Sequence, residues 1–289
     1  MKRGNGKFVI ECCRAGVIGD VLMTTPAIRE LRKQYKNAHI RYVTLNPDLL
    51  INNPNIDELS IVNYPCDLQI KFEYPVHKGY PDKPLTKHIA AEFAECGGVQ
   101  IDSFRGDIYF SESELIYAES VIKKFEHIPT ATIHIHGGWS PYKNWPFENW
   151  QKVVDHFFKR IVFIQIGGPN DPVLNNVISM VRTFSIRLSS AFIYSTDFFI
   201  GIDSFPNHVA GALSKPAVVL FGSTSPTGSG YPSATNIWTG EECSPCYREY
   251  NSISVHKKPP CPYDIKCMKG ISVERVVHSI EEELDTIKL

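Results

Sequence analysis

An excess of charge of one sign is missing from this sequence. Thirty Lys and Arg stand against 31 Asp and Glu in 289 residues, a formal net charge of −1. Duplex nucleic acid is held by a basic excess or a basic stripe. Neither is present, so no nucleic-acid partner is expected. Long apolar runs are missing too. No stretch approaches the ~18 continuous apolar residues of a membrane span. The first residues, MKRGNGKFVIECC, lack the apolar run of a signal peptide. The expectation is a cytoplasmic chain with no membrane span. Low-complexity tracts are absent, and 43% apolar with 21% charged residues exclude disorder as the dominant state. Neither G-x-G-x-x-G nor a Walker A loop occurs, which removes the main support for a nicotinamide or P-loop enzyme.

Cysteine, by contrast, is plentiful, with eight residues. Cys12, Cys13, Cys66 and Cys96 are scattered through the first half, while Cys243, Cys246, Cys261 and Cys267 are grouped. A reducing compartment disfavours disulfides, so the group needs another explanation. The spacing Cys243-x2-Cys246 is that of a metal knuckle, and the second pair is looser. Four thiols among Pro245, Pro259, Pro260 and Pro262, in a loop with little core of its own, read as a structural tetrahedral metal site. Fortuitous free cysteines are the plainer alternative.

Strand-like and helix-like segments alternate along the chain. Apolar runs predict strands at Phe8 to Cys12, His39 to Leu45, Glu58 to Val62, Ala131 to His136, Ile161 to Ile166, Phe198 to Ile202 and Ala217 to Phe221. Helical spacing predicts helices at Val21 to Tyr35, with Pro26 in an early turn, and at Lys87 to Cys96, Ser113 to Phe125 and Phe147 to Phe158. Further helices are expected at Val173 to Val181, Ser204 to Leu213 and Val273 to Leu284. A fresh series begins after His127-Ile128-Pro129, so domains of 1–127 and 128–289 are expected. This pattern implies α/β architecture with two parallel sheets, each covered by helices. Ligand would lie at the carboxyl ends of the strands.

Three loops carry candidate chemistry. Gly16-Val17-Ile18-Gly19-Asp20 joins a strand to a helix, where backbone can approach a ligand and a helix N-terminus favours anions. Asp20 is also readable as a first-turn acid. The segment His136 to Pro146 places Lys143 after a strand, where an ammonium can meet a diphosphate. A solvated surface lysine is the plainer reading. Asp203-Ser204-Phe205-Pro206-Asn207-His208 runs from strand into helix, so Asp203 or Ser204 can cap and His208 can reach a phosphate bound there. A capped helix with a buried histidine is the alternative. His134 and His136 share one strand face and read as structural.

Four segments in this order resemble the heptosyltransferase family of glycosyltransferases, glycosyltransferase family 9. They are GVIGDVLMTTPAIR (16–29), Lys143-Asn144-Trp145-Pro146, DSFPNHVAGA (203–212) and PAVVLFGST (216–224). The resemblance spans most of the chain. It implies a GT-B fold, two Rossmann-like domains facing each other across a cleft. The activity implied is inverting transfer of a sugar, a heptose, from a nucleotide-diphosphate donor resembling ADP-heptose to a hydroxyl of a saccharide or protein. Residues 1–127 would then be the acceptor side and 128–289 the donor side. Asp20 would be the general base, and Gly19, Lys143, Asp203, Ser204, His208 and Gly222 would bind donor. No catalytic metal ion is implied. The cysteine cluster, 243–267, is similar to that of a subset including the autotransporter heptosyltransferases, so the structural ion is expected to be zinc or iron. A homo-oligomer is compatible with the resemblance. The sequence departs from the family's pattern at Phe205, where glycine is usual, and at Asp171, which replaces a glutamate after the glycine pair. The rivals are a sugar-nucleotide epimerase or hydrolase on the same fold, and a metal-stapled, non-catalytic binding module.

Overall fold

The computed structural model describes residues 6–74, 85–138, 140–182, 185–247 and 260–287. The chain divides into two compact units. One comprises residues 1–75 and 87–111, the other 76–86 and 112–289.

The first unit runs β1 (Val9–Cys13), α1 (Ile18–Gln34), β2 (His39–Val43), β3 (Glu58–Ser60), β4 (Leu68–Lys71) and α2 (Ile89–Cys96). Its strands are all parallel, in the order β3-β2-β1-β4. Alternate residues of the strands, Ile10, Cys12, Ile40, Tyr42 and Ile70, are buried, and the Tyr42 hydroxyl lies 2.6 Å from the Thr24 hydroxyl of α1. Glu11 is also fully buried, with its carboxylate turned to the other face of the sheet. It accepts hydrogen bonds from Asn63 Nδ2 (2.7 Å), Gln69 Nε2 (2.9 Å), the Tyr64 amide (2.9 Å) and Arg41 Nη1 (3.4 Å). Burial opposes its charge, but these donors outweigh burial and hold its pKa below the ordinary value. They also pin the 61–66 connection to the sheet.

Helix α1 starts at Ile18, earlier than its apolar spacing predicts, so Pro26 lies in mid-helix rather than in an early turn. Proline has no N–H for the Leu22 carbonyl. The Thr25 hydroxyl donates to that carbonyl instead, at 2.7 Å.

The second unit runs α3 (Glu112–Ile122), β5 (Thr130–His134), α4 (Phe147–His156), β6 (Val162–Gln165), β7 (Ile178–Ser179), α5 (Ile186–Ser195), β8 (Phe198–Ile202) and α6 (Phe205–Ala212). It continues through β9 (Ala217–Phe221), α7 (Pro226–Ser229), β10 (Ala234–Trp238), α8 (Lys266–Lys269) and α9 (Val273–Thr286). Six parallel strands lie in the order β10-β9-β8-β5-β6-β7. This is the doubly wound order with its reversal between β5 and β8. Every residue of β5, β8 and β9 is buried, as expected of strands covered on both faces. Trp150, Phe157, Phe163, Phe198 and Ile280 fill the core beneath α4 and α9.

Two departures from the sequence pattern have local causes. Residues 173–181 form no helix. Instead Gln165 clamps the segment, donating to the Pro172 carbonyl (2.7 Å) and accepting from the Leu174 amide (2.9 Å), and Asn176 adopts φ +59°. The helix lies further on, at α5, which the pattern did not predict. Ser185 caps it by accepting from the Leu188 amide, and the Ser190 hydroxyl is satisfied by the Ile186 carbonyl. Helix α3 packs against α5, so residues 112–122 keep company with the second unit.

Candidate functional site

Each sheet reverses its order at one point, between β1 and β4 in the first unit and between β5 and β8 in the second. Open parallel sheets bind ligands beyond the carboxyl ends of the strands at such points. The candidate residues gather at both.

In the first unit, Gly19 and Asp20 are buried in the first turn of α1. Asp20 is therefore a first-turn acid in the favourable field of the helix N-terminus. Its two oxygens are engaged separately. Arg14, from the β1–α1 loop, forms an ion pair with Oδ2. The Tyr74 hydroxyl, just beyond β4, donates to Oδ1 at 2.8 Å. Tyr74 is itself fixed, with the Arg14 guanidinium 4.9 Å over its ring and Phe93 at 5.5 Å. The sequence pattern missed Arg14 and Tyr74. Arg14 stood in the glycine loop, whereas Tyr74 is 54 residues from Asp20 and left no local signal.

In the second unit, Asp203 is 3% exposed, past the end of β8. Lys143 lies in a short 3₁₀ turn (Pro141–Lys143) after β5. Its Nζ is 3.1 Å from both the carboxylate and the carbonyl oxygen of Asp203. Burial opposes the Asp203 charge, but Lys143, then His208 and the Thr224 hydroxyl, prevail and hold it below the usual carboxylate range. Ser204 occupies the N-cap of α6 without capping it. Its hydroxyl pairs with His134 Nδ1 (3.0 Å) and the Ile202 carbonyl (3.2 Å), so the Ser204 side chain does not cap the first turn of α6. Burial pushes the His134 pKa down to about 4, with His136 acting in the same direction and Asp171 against it. Such a group is a neutral imidazole at physiological pH.

Other groups complete this end of the sheet. His136 Nδ1 meets Asp171 at 2.9 Å, and Asp171 also accepts from the Gly168 amide at 2.7 Å. Asn144 accepts from the Gly137 amide at 2.8 Å, tying the lysine turn to the glycine loop. His208 Nδ1 lies 3.0 Å from the Tyr231 hydroxyl. Gly222 follows β9 and packs against Met268, where a Cβ would overlap the methionine side chain. The structure thus gathers Lys143, Asp203, Ser204 and His208. It adds His134, Thr224 and Tyr231, which the sequence pattern did not assign.

The cysteines behave differently. None of the eight is in a disulfide. Among the described residues no group of three or more His, Cys, Asp or Glu has metal-holding geometry. Burial, then Cys246, Cys243 and Cys261, push the Cys267 thiol up to about 11, so the four sulfurs share one neighbourhood. Among the described residues no helix is long and apolar enough to cross a membrane.

Comparison with known proteins gives the same architecture a lineage. The profile "Glycosyltransferase family 9 (heptosyltransferase)" matches residues 87–256, more than half of the chain. No curated protein matches the sequence. A glycosyl transferase family 9 structure from Veillonella parvula is similar with a TM-score of 0.74 and 20% identity, over 97% of this chain and 98% of that one. The iron-containing dodecameric heptosyltransferase TibC of enterotoxigenic E. coli, solved with ADP-D-β-D-heptose, gives a TM-score of 0.75 and 14% identity, over 98% of this chain and 77% of that one. The E. coli ADP-heptose lipopolysaccharide heptosyltransferase II gives 0.70 and 14% identity, over 96% and 99%. The fold and its parallel sheets are those of the GT-B glycosyltransferases. The chain belongs to glycosyltransferase family 9.

Proposed function

We propose that this glycosyltransferase is an inverting heptosyltransferase, taking its sugar from an ADP-heptose-like donor and delivering it to a hydroxyl of a saccharide or protein. The observation that carries the reading is the buried Lys143–Asp203 pair beside α6. It keeps an ammonium beyond the carboxyl end of β5, next to the N-terminus of α6, which the Ser204 side chain leaves uncapped. In the proposed reaction the acceptor oxygen attacks the anomeric carbon as the bond to the diphosphate breaks. The acceptor proton passes to Asp20, and the released electron pair stays on the diphosphate. Lys143, His208 and the α6 amides then meet the negative charge that develops there. Asp20 is suited to the base role because Arg14 and Tyr74 fix its orientation. Gly19, Ser204 and Gly222 are further proposed donor-binding residues, residues 128–289 are the proposed donor side, and residues 1–127 the proposed acceptor side.

Cys243, Cys246, Cys261 and Cys267 are proposed to hold one structural iron or zinc ion, supported by the shared neighbourhood of their sulfurs. The ion takes no part in the transfer. A cytoplasmic setting is proposed with it, because a reducing compartment keeps cysteines available as metal ligands. A homo-oligomer is compatible with the reading, as TibC is dodecameric.

The test is to incubate the protein with ADP-heptose and a panel of saccharide and polypeptide acceptors. Intact mass and ADP release are measured together. A heptose added to an acceptor, with equimolar ADP, is the expected result. ADP-heptose consumed equally with and without acceptor contradicts transfer.

A further inference from the structure

His136 lies two residues past β5, in the loop that leads to the Lys143 turn. Neither it nor Asp171 takes part in the transfer proposed above. His136 Nδ1 meets Asp171 Oδ1 at 2.9 Å, and the Gly168 amide donates to Asp171 Oδ2 at 2.7 Å. Asp171 is 9% exposed, and a Cβ on Gly167 would overlap its carboxylate, so the 167–171 loop is wrapped closely around that group. The imidazole held by it is open. Its side chain is 37% exposed, and Nε2 has no hydrogen-bond partner among the described residues. Two neighbours place this opening. A Cβ on Gly137 would lie 3.2 Å from Ile202 Cδ1 at the end of β8, whereas a Cβ on Gly138 would meet nothing within 4 Å. Asp171 and His136 both act on His134, whose Nδ1 meets Ser204 at the start of α6. The pair therefore shares the end of the sheet that carries the proposed donor site.

We propose that His136 is a donor-binding residue, oriented by Asp171, whose Nε2 bonds a hydroxyl of the ribose or of the transferred sugar. The inference rests on the donor reading above. An ionised carboxylate only accepts, so Nδ1 is the donor in its contact with Asp171. Nε2 is then the nitrogen left for a ligand. In the neutral ring it accepts, and in the imidazolium it donates. A hydroxyl suits both states, because it can donate or accept. An ionised phosphate oxygen suits only the imidazolium. The ligand group is therefore a hydroxyl, and the contact needs no particular charge on the ring. Because Asp171 already fixes the imidazole, little rotamer freedom remains to be lost on binding.

The test is calorimetric binding of ADP, 2′,3′-dideoxy-ADP and ADP-heptose to the full chain, for wild type, His136→Ala and His136→Phe. His136→Phe keeps a flat ring without its nitrogens. Both variants are expected to show the same pattern, so a lowered melting temperature in one leaves the other to decide. The expected loss is about threefold to tenfold, the worth of one hydrogen bond, and is confined to ligands that carry the bonded hydroxyl. If that hydroxyl is on the ribose, ADP and ADP-heptose bind more weakly and 2′,3′-dideoxy-ADP does not. If it is on the transferred sugar, only ADP-heptose binds more weakly. An equal loss for all three ligands, as a displaced loop would give, overturns the inference alone. So does unchanged affinity for all three. Failure of wild type to bind either ADP or ADP-heptose removes the donor reading and this inference with it.

Discussion

In the first unit the ends of β1 and β4 bring together Arg14, Asp20 and Tyr74. In the second the ends of β5 and β8 bring together His134, Lys143, Asp203 and Ser204. Both sets occupy the reversal point of a parallel sheet, yet they are made differently. The first presents one carboxylate, held by a cation and by a phenol that is 36% exposed. The second is a buried set of pairs, Lys143 with Asp203 and His134 with Ser204. In the first arrangement the carboxylate depends on one ion pair and one hydrogen bond. In the second, binding groups and fold are joined, because removing one partner leaves another buried and unpaired.

The largest effect that sharpens this contrast is on turnover. Asp20→Asn should cut the rate by about 10²- to 10⁴-fold, the usual worth of general-base catalysis. Asparagine keeps the size and a hydrogen-bonding oxygen but removes the charge partner of Arg14, so stability should fall by about 1–3 kcal/mol. Steady-state assays and thermal melts read the two together. If Asp20 were only a first-turn acid, turnover would survive.

A second variant attacks the seam of the second unit. A Cβ at Gly201, in β8, would lie 2.7 Å from the backbone oxygen of His134 and 2.6 Å from the Phe199 ring. The backbone of β5 cannot yield as a flexible side chain can. Gly201→Ala should cost about 1–3 kcal/mol by chemical denaturation and weaken ADP binding at the same time. The counterpart Gly16→Ala, in the β1–α1 loop, meets nothing within 4 Å and should leave stability unchanged.

The smallest effect is in acid. His134 has a folded-state pKa of about 4 against the ordinary 6.5, so the unfolded chain takes up a proton before the native state does. Its stabilising contribution is full above pH 6.5 and is lost as the pH falls from 6.5 towards 4, by at most ~1.4 kcal/mol per pH unit. Glu11, in the first unit, has a pKa held below 4.5, so its contribution is full above 4.5 and is lost only below that. Acid titration of stability should therefore weaken the second unit first. His134→Gln should flatten the slope between pH 6.5 and 4. An unchanged slope contradicts a buried neutral His134.

Much of the second unit was legible in sequence, for a physical reason. β5, β8 and β9 are buried on both faces and read as continuous apolar runs. The edge strands β4 (LQIK) and β10 (ATNIW), half polar, carried no such signal. Gln165, through two side-chain bonds, holds the start of the apparent helix at 173–181 in a turn that leads into the short strand β7. The candidate site divides similarly. Asp20, Lys143, Asp203, Ser204 and His208 were legible because a helix start or a glycine loop marks each of them. Tyr74 and Tyr231 were not. Each acts across 54 and 23 residues respectively, through contacts that only the folded sheets create.

The account centres on a division of labour, with the base in the first unit and donor recognition in the second. ADP affinity, measured by calorimetry on Asp20→Asn and His208→Ala in parallel, tests it most directly. The account predicts that Asp20→Asn binds ADP within about twofold of wild type while losing turnover, and that His208→Ala loses about threefold or more in affinity. Equal losses of ADP affinity in the two variants would contradict it.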